Sequence, residues 1–227
     1  MIVIGNPGLV STEHGSRAAG AAASVALAAR EAGAEVQLVG KVGEDADGEA
    51  VLLDLAKSRI GHVAVLRDPR LTTSHFDEPP DEATDFDEVD DPDRPNPPLS
   101  EVIDLDAADI ELALRYLPDY RVIVVAEPLN DAALGGVVAA AGWSSAALVV
   151  VTPPGSTPST AIPSTATVLE ATTDAADPAF AAMVGRYAAA LDRGEDAAAA
   201  FEHATNQAGW SAAGAASAAE PAGGASS

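Results

Sequence analysis

Six short apolar runs recur along this chain, at 1–5, 36–40, 62–66, 121–126, 147–151 and 167–171, and stretches with helical spacing separate most of them. Residues 20–32 form an alanine-rich helical stretch with Val25, Leu27 and Ala28 to bury, ended by Gly33. Residues 47–58 place Val51, Leu52 and Leu55 on one face. Further helical stretches read at 106–116, 132–141 (with the small pair Gly135-Gly136), 183–191 and 195–208. Five-residue strands alternating with helices pair best as a parallel sheet covered on both faces, because a parallel strand needs a crossover and the crossover helix packs back onto the sheet. The expected fold is α/β, a three-layer αβα sandwich with a mostly parallel central sheet. A chain of 227 residues is long enough for one such domain, expected over 1–210.

Charge narrows the functions available. The formal net charge is −23, and the only lysines are Lys41 and Lys57. Ten acids fall between Asp77 and Asp93, in a Pro-rich stretch read as a mobile loop over 77–98, yet acids are frequent elsewhere too. Such a surface repels nucleic acid and anionic membranes, so neither is an expected partner. Scarce lysine with abundant aspartate and alanine resembles proteins of salt-in halophiles, where a Debye length of about 3 Å at 1 M salt screens self-repulsion. The absence of cysteine excludes disulfides and thiolate metal sites. His14, His62, His75 and His203 lack metal-ligand spacing and read as surface or locally paired residues, and no metal site is expected. Gly5-Asn6-Pro7-Gly8 lacks the third glycine of a dinucleotide fingerprint. Trp143 and Trp210 read as packing residues, and 211–227 as a fraying Ala/Gly/Ser tail. No apolar run reaches membrane-spanning length, and the chain opens on a strand-like run, so a cytoplasmic protein is expected.

The densest motif is Glu170-Ala171-Thr172-Thr173-Asp174-Ala175-Ala176-Asp177-Pro178-Ala179-Phe180, which opens a helix. It resembles the Asp-Thr-Thr-Gly-Ala-Gly-Asp-Ala-Phe segment of the ribokinase-like (PfkB-type) carbohydrate kinases. Upstream, residues 19–29 followed by Gly33-Ala34-Glu35-Val36 resemble that family's Gly-Gly-x-Gly-Ala-Asn helix start and Gly-Ala-x-Val strand entry. Residues 39–48 are similar to its Gly-x-Val-Gly-x-Asp-x-x-Gly segment. The resemblance implies ATP-dependent phosphoryl transfer to a sugar or nucleoside-like hydroxyl. It implies Asp177 as catalytic base, Thr173, Asp174, Ala175 and Ala176 against the phosphates, Asn206 beside the adenine, and Gly20 and Ser24 toward the substrate. ATP and Mg²⁺ are the implied cofactors.

The chain departs from the family pattern at chemically sensitive places. Asp174, Ala175 and Ala176 occupy the Gly-Ala-Gly positions, and two anions in a weakly screened site repel by several kcal/mol at an effective dielectric near 20. The family's sugar-binding aspartate and asparagine fall near Val10 and on Ser24, and valine accepts no hydroxyl proton. The interval between the first strand and the Gly20 helix is expected to be too short for lid strands, and no Asn-x-x-Glu motif is present, so lid and central region are both read as reduced. Two functions stay open: a carbohydrate kinase, or a catalytically inactive pseudokinase acting as a metabolite-binding or protein-interaction module. An oligomer is compatible with either.

Overall fold

The computed structural model describes residues 1–13, 15–76, 105–117, 119–171 and 177–207. The strands are β1 (Ile2–Ile4), β2 (Gly8–Thr12), β3 (Gly15–Ala19), β4 (Gln37–Gly43), β5 (Gly61–Asp68), β6 (His75–Phe76), β7 (Val122–Val125), β8 (Ala147–Thr152) and β9 (Thr167–Glu170). The helices are α1 (Ala21–Glu31), α2 (Ala46–Lys57), α3 (Ala107–Tyr116), α4 (Asp131–Ser144), α5 (Pro178–Asp192) and α6 (Ala197–Gln207). Six strands form the central sheet in the order β5-β4-β1-β7-β8-β9, every neighbouring pair parallel.

Side chains alternate between two cores with the period of two that a pleated strand imposes. Val3, Val122, Val124, Val149 and Val151 face one core with α1, α2, α5 and α6, while Ile2, Ile4, Ile123, Val125, Leu148 and Val150 face the other with α3 and α4. The three-layer α/β expectation is met. The alanine bias has a packing consequence in the first core. A Cβ on Gly185 of α5 would stand 2.7 Å from both the Ala28 Cβ and the Val25 carbonyl oxygen of α1, so the two helix backbones nearly touch. Tyr187, on the same helix, buries its ring and shares a 2.9 Å hydrogen bond between its hydroxyl and Thr167 Oγ1, so the buried phenol has a partner.

Two expectations are corrected. The interval between β1 and α1 does hold covering strands: β2 and β3 form an antiparallel hairpin, and β6 adds to β2 in parallel, giving a small second sheet in the order β3-β2-β6. Its outer half is polar and exposed, Ser11, Gly15, Ser16 and Arg17 among it, so the hairpin has no apolar alternation to announce it. Tertiary contacts fix it instead. The backbone N–H of Ala18 donates to Asp54 of α2 at 2.8 Å, and His75 Nδ1 lies 3.3 Å from Asp47. The interval is therefore short but long enough for a small sheet. The second correction concerns Trp143, which is 94% exposed on α4 rather than packed. His62, His75 and His203 each have a local partner, in Ile60, Asp47 and Glu195. The 77–98 loop, the 211–227 tail, His14 and Trp210 lie outside the described residues.

Candidate functional site

In a parallel α/β sheet the crevice forms at the carboxyl ends of the strands where the strand order reverses. Here β1 has β4 on one side and β7 on the other, so the reversal lies between β1 and β7. The chain leaves these strands as Gly5-Asn6-Pro7 and Ala126-Glu127. Glu127 crosses the crevice: its Oε2 accepts from the Asn6 backbone N–H at 3.0 Å, and the carboxylate also accepts from the backbone of Ala22, in the first turn of α1. Burial pushes the Glu127 carboxyl above its ordinary value, against the two backbone N–H bonds that pull the other way.

The neighbouring backbone is shaped to admit that carboxylate. Gly5 has φ +152°, and a Cβ there would stand 2.8 Å from the Ala22 Cβ and 3.2 Å from Glu127 Cδ. Asn6 then links strand ends by accepting from the Lys41 backbone N–H at 2.9 Å through Oδ1. Lys41, at the end of β4, pairs with Asp109 of α3 at 2.5 Å, so this lysine charge is neutralised beside the crevice. Asp45 closes the same edge as N-cap of α2. Its carboxylate accepts from Gly48 N, Thr73 N and Thr73 Oγ1, bonds that outweigh burial and hold it below the usual aspartate value. The match at 39–48 thus builds the end of β4 and the cap of α2.

The expected substrate residues do meet the crevice. Gly20 is the N-cap of α1 with φ 91° and no side chain to cap the helix, and Ser24 is half-buried one turn on. Phe76 of the small sheet stands over Gly20, its Cζ 3.0 Å from where a Cβ would be. Val10 is buried in β2 and offers no polar group. Glu127 escaped the sequence reading. The signal available was an acid directly following an uninterrupted apolar strand run, Val122 to Ala126, in the middle of the sheet.

Asp177 opens α5, on the same carboxyl edge beyond β9. Its Oδ1 accepts from Ala179 N at 2.7 Å and Phe180 N at 3.2 Å. Pro178 at the first helical position has no N–H, so of the first three helical positions one offers no donor and two are turned to Asp177. Asn206 is exposed near the end of α6. The short 193–196 turn and the edge-to-face contact of Tyr187 with Phe201 fold α6 back along α5, placing Asn206 toward the first turns of α5. Thr173, Asp174, Ala175 and Ala176 lie outside the described residues. Among the described residues no group of three or more His, Asp or Glu is arranged to hold a metal, and no helix is long and apolar enough to cross a membrane.

No family model matches the chain, and no curated protein matches it in sequence. Solved structures match its fold. Sa239 superposes with a TM-score of 0.64 over 96% of this chain and 96% of its own, at 11% identity. A protein of E. coli provisionally called ribokinase II gives 0.60 over 89% of both chains at 14% identity, and 0.59 at 15% identity in its complex with ATP and Mg²⁺. The chain spans about half the length, 52%, of an uncharacterised sugar kinase from Pyrococcus horikoshii solved with ATP, at 19% identity and a TM-score of 0.48. What the likenesses to Sa239 and to the E. coli protein show is the ribokinase-like α/β fold.

Proposed function

We propose that this chain is a PfkB-type carbohydrate-kinase homologue that binds a sugar or nucleoside-like ligand in the crevice between β1 and β7, with a weakened phosphoryl-transfer end. The ligand side rests on a carboxylate acceptor, Glu127, and a half-buried hydroxyl, Ser24, at a crevice that the small sheet partly covers. Carboxylate and hydroxyl suit a ligand rich in hydroxyl donors. The observation that carries the weakened end is the start of α5. With Pro178 at the first position and Asp177 holding the next two N–H groups, a phosphate arriving there meets a carboxylate instead of donors. The described residues therefore do not fit a nucleotide phosphate at α5.

A second reading is favoured by one detail: Asp177 Oδ2 makes no hydrogen bond among the described residues, leaving one oxygen to take a proton. On that reading the chain is an active kinase using ATP and Mg²⁺, as the sequence resemblance implies, with Asp177 Oδ2 receiving the proton of the substrate hydroxyl.

Calorimetry of Mg·ATP against the folded protein in concentrated potassium chloride separates the two. We expect no micromolar binding, alongside measurable binding of a neutral sugar or nucleoside that Glu127→Ala removes. Micromolar Mg·ATP binding, with turnover abolished by Asp177→Ala, would establish the kinase reading instead.

A further inference from the structure

The opposite edge of the sheet, at the amino ends of the strands, carries a surface that the crevice does not use. An open hollow of about 940 Å³ lies there, lined by Tyr116, Tyr120 and Trp143 together with Asp119, Arg121 and Arg193. The chain has only two tryptophans and three tyrosines, so one of the former and two of the latter meet in this one place. Trp143 is 94% exposed and Tyr116 70% exposed. Leu112, four residues before Tyr116 on α3 and also exposed, extends the apolar stripe along the helix. Exposed Trp and Tyr beside Arg is the composition of the energetic centre of protein interfaces, and a monomer gains nothing by wetting it.

We infer that this face is a two-fold interface between two copies of the chain. Charge decides the occupant. At −23, two copies that met through most of their surface would press acids together. Around the hollow the signs are mixed, with Arg121 and Arg193 set among Glu35, Asp119 and Asp192. Arg193 is engaged with Glu195, but the side chains of Arg121 and Asp119 make no hydrogen bond or ion pair among the described residues. They stand two residues apart on either side of Tyr120. A two-fold axis near Tyr120 brings each Arg121 against the partner's Asp119, forming the same pair twice, as an isologous interface requires. The partner's Trp143 then enters the hollow beside the first. A basic partner, by contrast, would find far more acid on other faces. This interface leaves the crevice between β1 and β7 open, because it lies at the other end of the strands.

Sedimentation equilibrium of the full chain in concentrated potassium chloride, across a dilution series, tests the inference. A reversible dimer is expected, and Trp143→Ala should weaken it about tenfold or more. That variant removes an exposed side chain, so its circular dichroism should match the parent. Arg121→Asp and Asp119→Arg should each weaken the dimer, and the double variant should restore it. A monomer at every concentration would overturn the inference, as would a dimer that Trp143→Ala leaves unchanged. A double variant no better than either single would overturn the Arg121–Asp119 pairing.

Discussion

Two helices that start at the carboxyl edge of the sheet, α1 and α5, begin in different ways. α1 starts at Gly20, which has no side chain to cap it, and an N–H in its first turn is satisfied from across the sheet by Glu127. α5 starts at Asp177, which caps its own helix two and three residues on. One helix end is thus held by a contact spanning more than a hundred residues, the other by a contact within four. The first depends on the sheet being assembled and is exposed to any ligand that competes for Glu127. The second is local, and it leaves an incoming anion few donors. A helix start is open to a ligand only to the extent that the protein does not already occupy it.

The largest way to break the comparison is to part the helices themselves. Gly185→Val should cost about 3 kcal/mol or more, because its side chain has nowhere to go between the α1 and α5 backbones; a thermal melt should show both helix starts failing together. Next, Glu127→Ala should cost about 1–3 kcal/mol in chemical denaturation by leaving the Asn6 and Ala22 N–H groups unpaired. Glu127→Gln, which keeps an acceptor, should cost less. Asp177→Ala should cost about 1 kcal/mol as a lost cap. It should also leave anion binding at α5 equal or stronger, which a phosphate titration followed by NMR would reveal.

The smallest effect sharpens the contrast through pH. The folded chain raises the Glu127 pKa and so holds that proton more tightly than the unfolded chain does. Between the ordinary glutamate value and the raised one, stability from this group falls as pH rises, being fully present below that window. Denaturation across that range should show the fall in the parent and its loss in Glu127→Gln.

Legibility in the sequence followed the same division between local and distant causes. The inner parallel strands could be read because they are buried on both faces and therefore apolar throughout, as Val122–Val125 shows, and the edge strands β5 and β9 because each keeps a short apolar run despite its exposed positions. The helix after Asp177 could be read because its signal lies within four residues, whereas α2 begins at Ala46 with Asp45 as its cap, which the expected start at 47 left out. The hairpin of β2 and β3 could not, since its strand state is imposed by Asp54 and by pairing with β6 rather than by its own residues. Glu127 drew no reading from the sequence, and only the reversal of strand order gives it a place. Trp143 was misplaced because aromatic character alone does not say which side of a helix faces the core. α4 has apolar residues on every side, so its pattern carries almost no direction.

The strand order has a further consequence during synthesis. β1 takes its two neighbours from Gln37–Gly43 and Val122–Val125, so its second edge stays bare until residues near 125 have left the ribosome. At about 5–20 residues per second that interval is roughly 6 to 24 s. For that time Ile2, Val3 and Ile4 present an apolar edge able to pair with the same strand of another nascent chain on the same messenger. Slower translation between β5 and β7 would lengthen the time for which that edge stays unpaired.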